Sequence, residues 1–88
     1  MTWTEIERSN RGKTVTFSQD YKYAVCVGVA GGGSDSRAMF SGSGTVLYSQ
    51  RYGNGGTNGD NVTLTIIEDV KAGDTIYLFN WKLLVVAN

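Results

Sequence analysis

The most constraining feature of this chain is an alternation of side-chain character with a period of two residues, broken at roughly ten-residue intervals by turn-forming clusters. Trp3 to Arg8 alternates and ends at Ser9-Asn10-Arg11-Gly12, and Lys13 to Ser18 sets Val15 and Phe17 on one face. Tyr21 to Ala30 (YKYAVCVGVA) is followed by Gly31-Gly32-Gly33-Ser34-Asp35-Ser36, and Arg37 to Ser41 by Gly42-Ser43-Gly44. Thr45 to Tyr52, Asn61 to Glu68, Thr75 to Phe79 and Trp81 to Ala87 complete the series, with Val70-Lys71-Ala72-Gly73-Asp74 as a turn and Asn80 at a bend. No window repeats apolar residues at i, i+3 and i+4, so no helix is expected. Valine, isoleucine, threonine and aromatic residues dominate the alternating runs, as pleated, half-buried surfaces favour. The expected fold is all-β: an antiparallel β-sandwich of jelly-roll type with about seven or eight short strands and no substantial helix.

Eighty-eight residues make a single small domain, 1–88. A chain of this size buries a modest share of its surface, so disulfides, metals or partner subunits commonly help to stabilise it. Cys26 is the single cysteine and there is no histidine. An intrachain disulfide and a Cys/His zinc site therefore drop out, which leaves self-association as the remaining common aid. Eight basic and eight acidic residues balance, with no basic run, so no attraction to nucleic acid or to an anionic membrane is expected. The longest apolar run, Leu83 to Ala87, is too short to span a bilayer, and the N-terminus lacks a secretory apolar region. A bare Met followed directly by strand-like sequence suggests the tip of a longer chain.

Two strands carry more information than the others. In Tyr21 to Ala30 one face holds Tyr23, Val25, Val27 and Val29, while the other holds Ala24, Cys26, Gly28 and Ala30. That second face is uniformly small and lets a backbone or ring approach closely. In the last strand, Leu83 and Val85 alternate with Leu84 and Val86, so both faces are apolar where a half-exposed strand should show polar residues. Two explanations stay open: cover by loops at a sheet corner, or cover by an identical subunit. Leu84, Val86, Ala24 and Cys26 are the candidate residues of a subunit contact.

Catalysis finds little material. Without histidine no Ser-His-Asp or Cys-His arrangement exists, and Cys26 stands mid-strand among apolar residues, where a thiol stays inert. Glu5 and Glu7 share a strand face but have no apolar pocket to shift them apart. Gly28-Val29-Ala30-Gly31-Gly32-Gly33-Ser34 follows a strand but has serine where a phosphate-binding loop needs lysine, and no helix follows it. No enzyme activity, cofactor or metal is expected. Gly55-Gly56-Thr57-Asn58-Gly59-Asp60 approaches a calcium-repeat pattern with one glycine displaced, and it lacks the stacked neighbours such a cage requires. Asn54-Gly55 and Asn58-Gly59 suit the positive φ of tight turns. Asn61-Val62-Thr63 matches a glycosylation sequon and is read as strand.

Binding surfaces remain. Tyr48 and Tyr52 precede the amide-rich stretch YGNGGTNGDN, in which Asn54, Asn58 and Asp60 could reach sugar hydroxyls while a ring stacks on an apolar sugar face. Asp35 and Arg37 edge the other long loop. If both loops leave the same end of the sandwich, they form one tip.

The phrase Val70-Lys71-Ala72-Gly73-Asp74-Thr75-Ile76-Tyr77-Leu78 is similar to the turn entering a late strand of C1q- and TNF-like jelly rolls. The glycine-rich loop after YAVCVGVA and the abrupt end on an apolar strand resemble the C-terminal head domains of bacteriophage tail fibres and receptor-binding proteins. That resemblance implies a homo-oligomeric, preferably trimeric, jelly roll at a virion tail. It would recognise a host surface glycan or protein through residues 31–37 and 52–61. Two other readings fit the same residues: a structural trimerisation or capping module without a ligand, and a carbohydrate-binding module of an extracellular enzyme.

Overall fold

The alternating runs become strands, and the way they pair shows why the chain needs so many of them. The computed structural model describes residues 3–9, 12–30, 37–52, 61–79 and 81–87. They contain eight strands: β1 (Thr4–Ser9), β2 (Lys13–Thr16), β3 (Tyr21–Ala30), β4 (Arg37–Ser41), β5 (Thr45–Tyr52), β6 (Asn61–Val70), β7 (Thr75–Phe79) and β8 (Trp81–Ala87). Five form one antiparallel sheet in the order β1-β8-β3-β6-β5, and three form a second in the order β2-β7-β4. The first strand thus pairs with the eighth, the second with the seventh and the third with the sixth. This nesting is that of one long hairpin rolled over itself, the jelly-roll arrangement. Its innermost pair departs from the pattern: β5 pairs with β6 at the edge of the larger sheet instead of with β4.

Burial shows which face of each strand turns inward. The core consists of Phe17, Tyr21, Ala24, Cys26, Ile67, Val70, Ile76 and Leu78, with Val15, Ala38 and Phe40 packed against it. Phe17 meets the Tyr21 ring edge-on, with centroids 6.1 Å apart, and lies 6.4 Å from Phe40. Inward alternation slips once in each central strand. Tyr21 and Ala24 both face inward although three apart, as do Ile67 and Val70 on the opposing strand. Asp69, in the left-handed region at φ 57°, absorbs the slip in β6, a conformation aspartate tolerates better than most residues. The strand expected to end at Glu68 therefore continues through Asp69 to Val70.

Three connections, through residues 17–20, 42–44 and 71–74, gather at one end, and Asp74 ties them together. Its Oδ1 accepts from the Ser43 backbone N–H at 3.0 Å and from the Ser43 hydroxyl at 3.3 Å; its Oδ2 accepts from Gly44 N–H at 3.2 Å and Lys71 N–H at 2.9 Å. Its backbone carbonyl accepts from Phe17 N–H, and Gly73 N–H donates to the Phe17 carbonyl, both at 2.9 Å. Asp74 N–H donates to the Lys71 carbonyl, and Gly73 has φ 94°, the positive value that the third position of a type II turn demands. Asp20 accepts from Ala72 N–H at 2.9 Å. A Cβ at Gly42 would collide with the Asp74 carboxylate, and one at Gly44 would lie 3.0 Å from Phe40 and 3.1 Å from Ile67. Close approach thus calls for glycine at 42 and 44, and the positive φ for glycine at 73.

Burial acts to raise the Asp74 pKa, but the N–H groups of Lys71, Ser43 and Gly44 and the Ser43 hydroxyl outweigh it and hold the carboxyl below its ordinary 3.8. A depressed folded-state pKa contributes stability that is present above the unfolded-state value and is lost as pH falls through the folded-state value. Asp74→Asn should therefore cost about 1.5–3 kcal/mol at neutral pH, the range for hydrogen bonds to a charged group. Urea titrations should show the gap to wild type closing below about pH 4; a pH-independent gap would assign Asp74 a purely steric role. Ile76→Ala, at the centre of the smaller sheet, should cost about 2–5 kcal/mol by the same measurement.

Candidate functional site

The jelly-roll register decides which strand ends share an end of the molecule. Ser9 and Gly28 both lie opposite Trp81, Ala30 lies opposite Asn61, and Tyr52 lies opposite Val62. In the smaller sheet Arg37 lies opposite Phe79 and Lys13 opposite Leu78. One residue separates Phe79 from Trp81, so both sheets present these ends together. The strands that bound 31–36 and those that bound 53–60 therefore emerge at one end, opposite the corner tied by Asp74. This is the geometry under which the two glycine-rich segments share a tip.

The candidate residues distribute unevenly over that end. Arg37 and Tyr52 occupy the terminal register positions of β4 and β5. Asp35, Asn54, Asn58 and Asp60 lie outside the described residues. Tyr48 stands apart. It pairs with Ile66 in the middle of the sheet and is 39% exposed on its outer side, about 14 Å along the strand from Tyr52. The sequence places Tyr48 beside the loop because only four positions separate the two tyrosines, yet an extended strand turns four positions into the length of half a sheet. Among the described residues no group of three metal-ligating side chains gathers.

The expected subunit contacts need correction. Ala24 and Cys26 are completely buried in the chain's own core and cannot meet a partner. The small face of β3 is the inner one, where the second sheet approaches. Burial pushes the Cys26 thiol well above its ordinary pKa, which leaves it protonated and unreactive. Leu84 and Val86 occupy register positions opposite Val25 and Tyr23, in the rows of the outer face; their side chains lie outside the described residues.

That outer face was overlooked in the sequence. Across the larger sheet one row runs Leu84, Val25, Ile66, Tyr48, and the next runs Lys82, Val27, Leu64, Gln50. Val25, Val27, Leu64 and Ile66 are all partly exposed. The row between them runs Leu83, Cys26, Thr65, Ser49, with Thr65 buried and its hydroxyl 3.0 Å from that of Ser49. Along this stretch of β3 and β6 the aliphatic residues Val25, Val27, Leu64 and Ile66 thus lie on the outer face, while Cys26 and Thr65 point in. Comparing the two faces of β3 and β6 for bulk, and not for polarity alone, would have found it. At the lower border Lys22 bonds to Asp69 at 3.3 Å and lies 4.0 Å from Glu68. The Asp69 carboxylate raises the pKa of the Lys22 ammonium.

No protein-family model matches the chain, and no curated protein or solved structure matches it. Functional argument rests on the geometry above. If Tyr48 belongs to the sheet face and not to the tip, Tyr48→Ser should leave any ligand affinity of the tip within about two-fold, against about ten-fold or more for Tyr52→Ala; titration of one ligand against both variants checks the assignment.

Proposed function

We propose that this protein is a non-catalytic recognition head: the receptor-binding or adhesion domain of a phage-like tail fibre, which contacts a host surface glycan or protein through the glycine-rich segments at one end. One observation carries this reading. The strands bounding residues 31–36 and 53–60 leave the sandwich at the same end, while the opposite end is consumed by internal hydrogen bonds around Asp74. A rigid β scaffold with variable polar connections at one end is the usual arrangement for binding by loops. The zero net charge favours a ligand recognised by hydrogen bonds and stacking over one held by long-range attraction. Arg37, Tyr52, Asn54, Asn58 and Asp60, with Asp35, are the contact residues in this reading. The head works as a homo-oligomer, with a trimer favoured, at the virion tail or another extracellular surface.

The apolar outer face of the larger sheet favours one second reading, a trimerisation or capping module in which the glycine-rich segments are spacers. Glycan-array screening and host-cell adsorption separate the two. In the recognition reading, Tyr52→Ala with Asn58→Ala weakens binding about ten-fold or more, since alanine substitution of a central contact residue removes on the order of 2 kcal/mol, while the far-ultraviolet circular dichroism stays unchanged. Assembly without a ligand on the array, and adsorption indifferent to both substitutions, would leave the structural module.

A further inference from the structure

The charges of this chain cancel in total, but the register spreads them unequally along the strands. The row Glu7, Leu83, Cys26, Thr65 and Ser49 crosses the middle of the larger sheet. On the tip side of it stand Arg8 opposite Lys82 and Arg51 opposite Thr63, with Arg37 opposite Phe79 and Lys13 opposite Leu78 in the smaller sheet. The connections leaving that end add Arg11, Asp35 and Asp60. With Glu7 counted there, the tip half holds six of the eight bases and three of the eight acids. The other half holds Lys22 and Lys71 against Glu5, Asp20, Glu68, Asp69 and Asp74. A zero total therefore conceals a surplus of three positive charges in the tip half and three negative charges in the half that ends at the Asp74 corner.

The kind of cation divides in the same way. All four arginines, Arg8, Arg11, Arg37 and Arg51, belong to the tip half, and the other half has lysines alone. Those lysines are engaged: Lys22 bonds to Asp69 at 3.3 Å and Lys71 lies 3.8 Å from Asp20. On the tip side Arg8 bonds to Glu5 at 3.0 Å and Lys13 to Glu7 at 3.1 Å. Setting those pairs aside leaves Arg11, Arg37, Arg51 and Lys82 against Asp35 and Asp60. Arg8 is also the direct cross-strand partner of Lys82, and like charges so placed destabilise a sheet. β3, which runs between the two ends, is ten residues or about 33 Å long, several times the screening length of about 8 Å in physiological salt. A ligand touching the tip therefore meets the positive surplus there, although the molecule as a whole attracts nothing from afar.

We propose that the tip receives an acidic glycan, a surface polysaccharide whose sugars carry carboxylate or phosphate groups, and that Arg37 and Arg51 bind those groups. Arginine suits the task because its planar fork donates two parallel N–H bonds to a carboxylate or phosphate. Tyr52 follows Arg51 at the end of β5 and supplies the ring that stacks on a sugar face. Charge spacing selects a glycan over a nucleic acid. Asp35 and Asp60 belong to connections leaving the same end, where they repel a continuous phosphate backbone but accept from the hydroxyls between a glycan's spaced anionic groups. The acidic glycan narrows the ligand class of the recognition reading and rests on that reading.

Glycan-array screening of the full chain, followed by calorimetric titration of the hits, tests it. The hits should carry carboxylates or phosphates, and sugars of both kinds on the array show which group is preferred. Methyl esterification of a carboxylate hit, or enzymatic removal of phosphate from a phosphorylated one, should weaken binding about ten-fold or more, with no variant required. Arg37→Gln and Arg51→Gln should each do the same with unchanged circular dichroism, and Arg51→Lys, which keeps the charge without the fork, should recover only part of the affinity. Lys71→Gln, at the opposite end, should leave the affinity within about two-fold. Raising sodium chloride from about 0.05 M to about 0.5 M should weaken wild type more than either glutamine variant. Hits confined to neutral glycans, or anionic hits indifferent to both glutamine substitutions, overturn the proposal and leave the recognition reading standing. Equal affinity for a duplex oligonucleotide overturns the choice of a glycan. An array without hits also overturns it; host adsorption lost in Tyr52→Ala then keeps the recognition reading with a protein receptor, and adsorption unchanged removes both.

Discussion

The carboxylate of Asp74 is the point at which this rolled hairpin is fastened. A jelly roll pairs strands far apart in sequence, here the first with the last, so most of its contacts repay their loop-closure entropy only after the chain has folded around them. What fixes the roll is a corner where successive strands cross from one sheet to the other. Asp74 binds residues of the 42–44 connection and of its own turn through its side chain, and Phe17 through its backbone. Four hydrogen bonds to charged oxygens satisfy donors of two tight connections, 42–44 and 71–74, at a carboxylate that is itself buried. The largest core rings, Phe17, Tyr21 and Phe40, pack beside this knot. The dense end of the core and its polar fastening therefore support each other.

Moving away from that corner, the inward positions of β3 and β6 pass from Ala24 and Ile67 to Cys26, Gly28 and Thr65, and Leu83 and Trp81 of β8 share the rows of Cys26 and Gly28. Small inward residues let the two layers come close, and the Thr65–Ser49 hydroxyl pair meets the polar requirement that burial imposes.

Much of this was legible in the sequence, and the reason is local. β3, β4, β5, β7 and β8 have the bounds that alternation and turn residues imply, because glycine clusters and an Asn bend interrupt each run sharply. The all-β jelly roll followed from strand number and spacing. Three things did not follow. Period-two alternation names two faces without saying which is inner, so the small face of β3 was available equally for a partner's ring or for the chain's own second sheet. The sixth strand looked as if it ended at Glu68, because a left-handed residue inside a strand leaves the same mark as one that ends it. Asp74 looked like a turn residue and nothing more, since its partners Ser43 and Gly44 lie thirty positions away and no local pattern connects them.

The two ends of the molecule therefore have different physical characters, and the outer face links them. β3 and β6 carry the exposed aliphatic rows, and the same two strands run on to Ala30 and Asn61, where the glycine-rich segments begin and end. On the inner side of their upper halves the small residues Cys26 and Gly28 share rows with Leu83 and Trp81 of the neighbouring β8, so the base from which the polar segments project is held by the pairing of three strands and not by β3 and β6 alone.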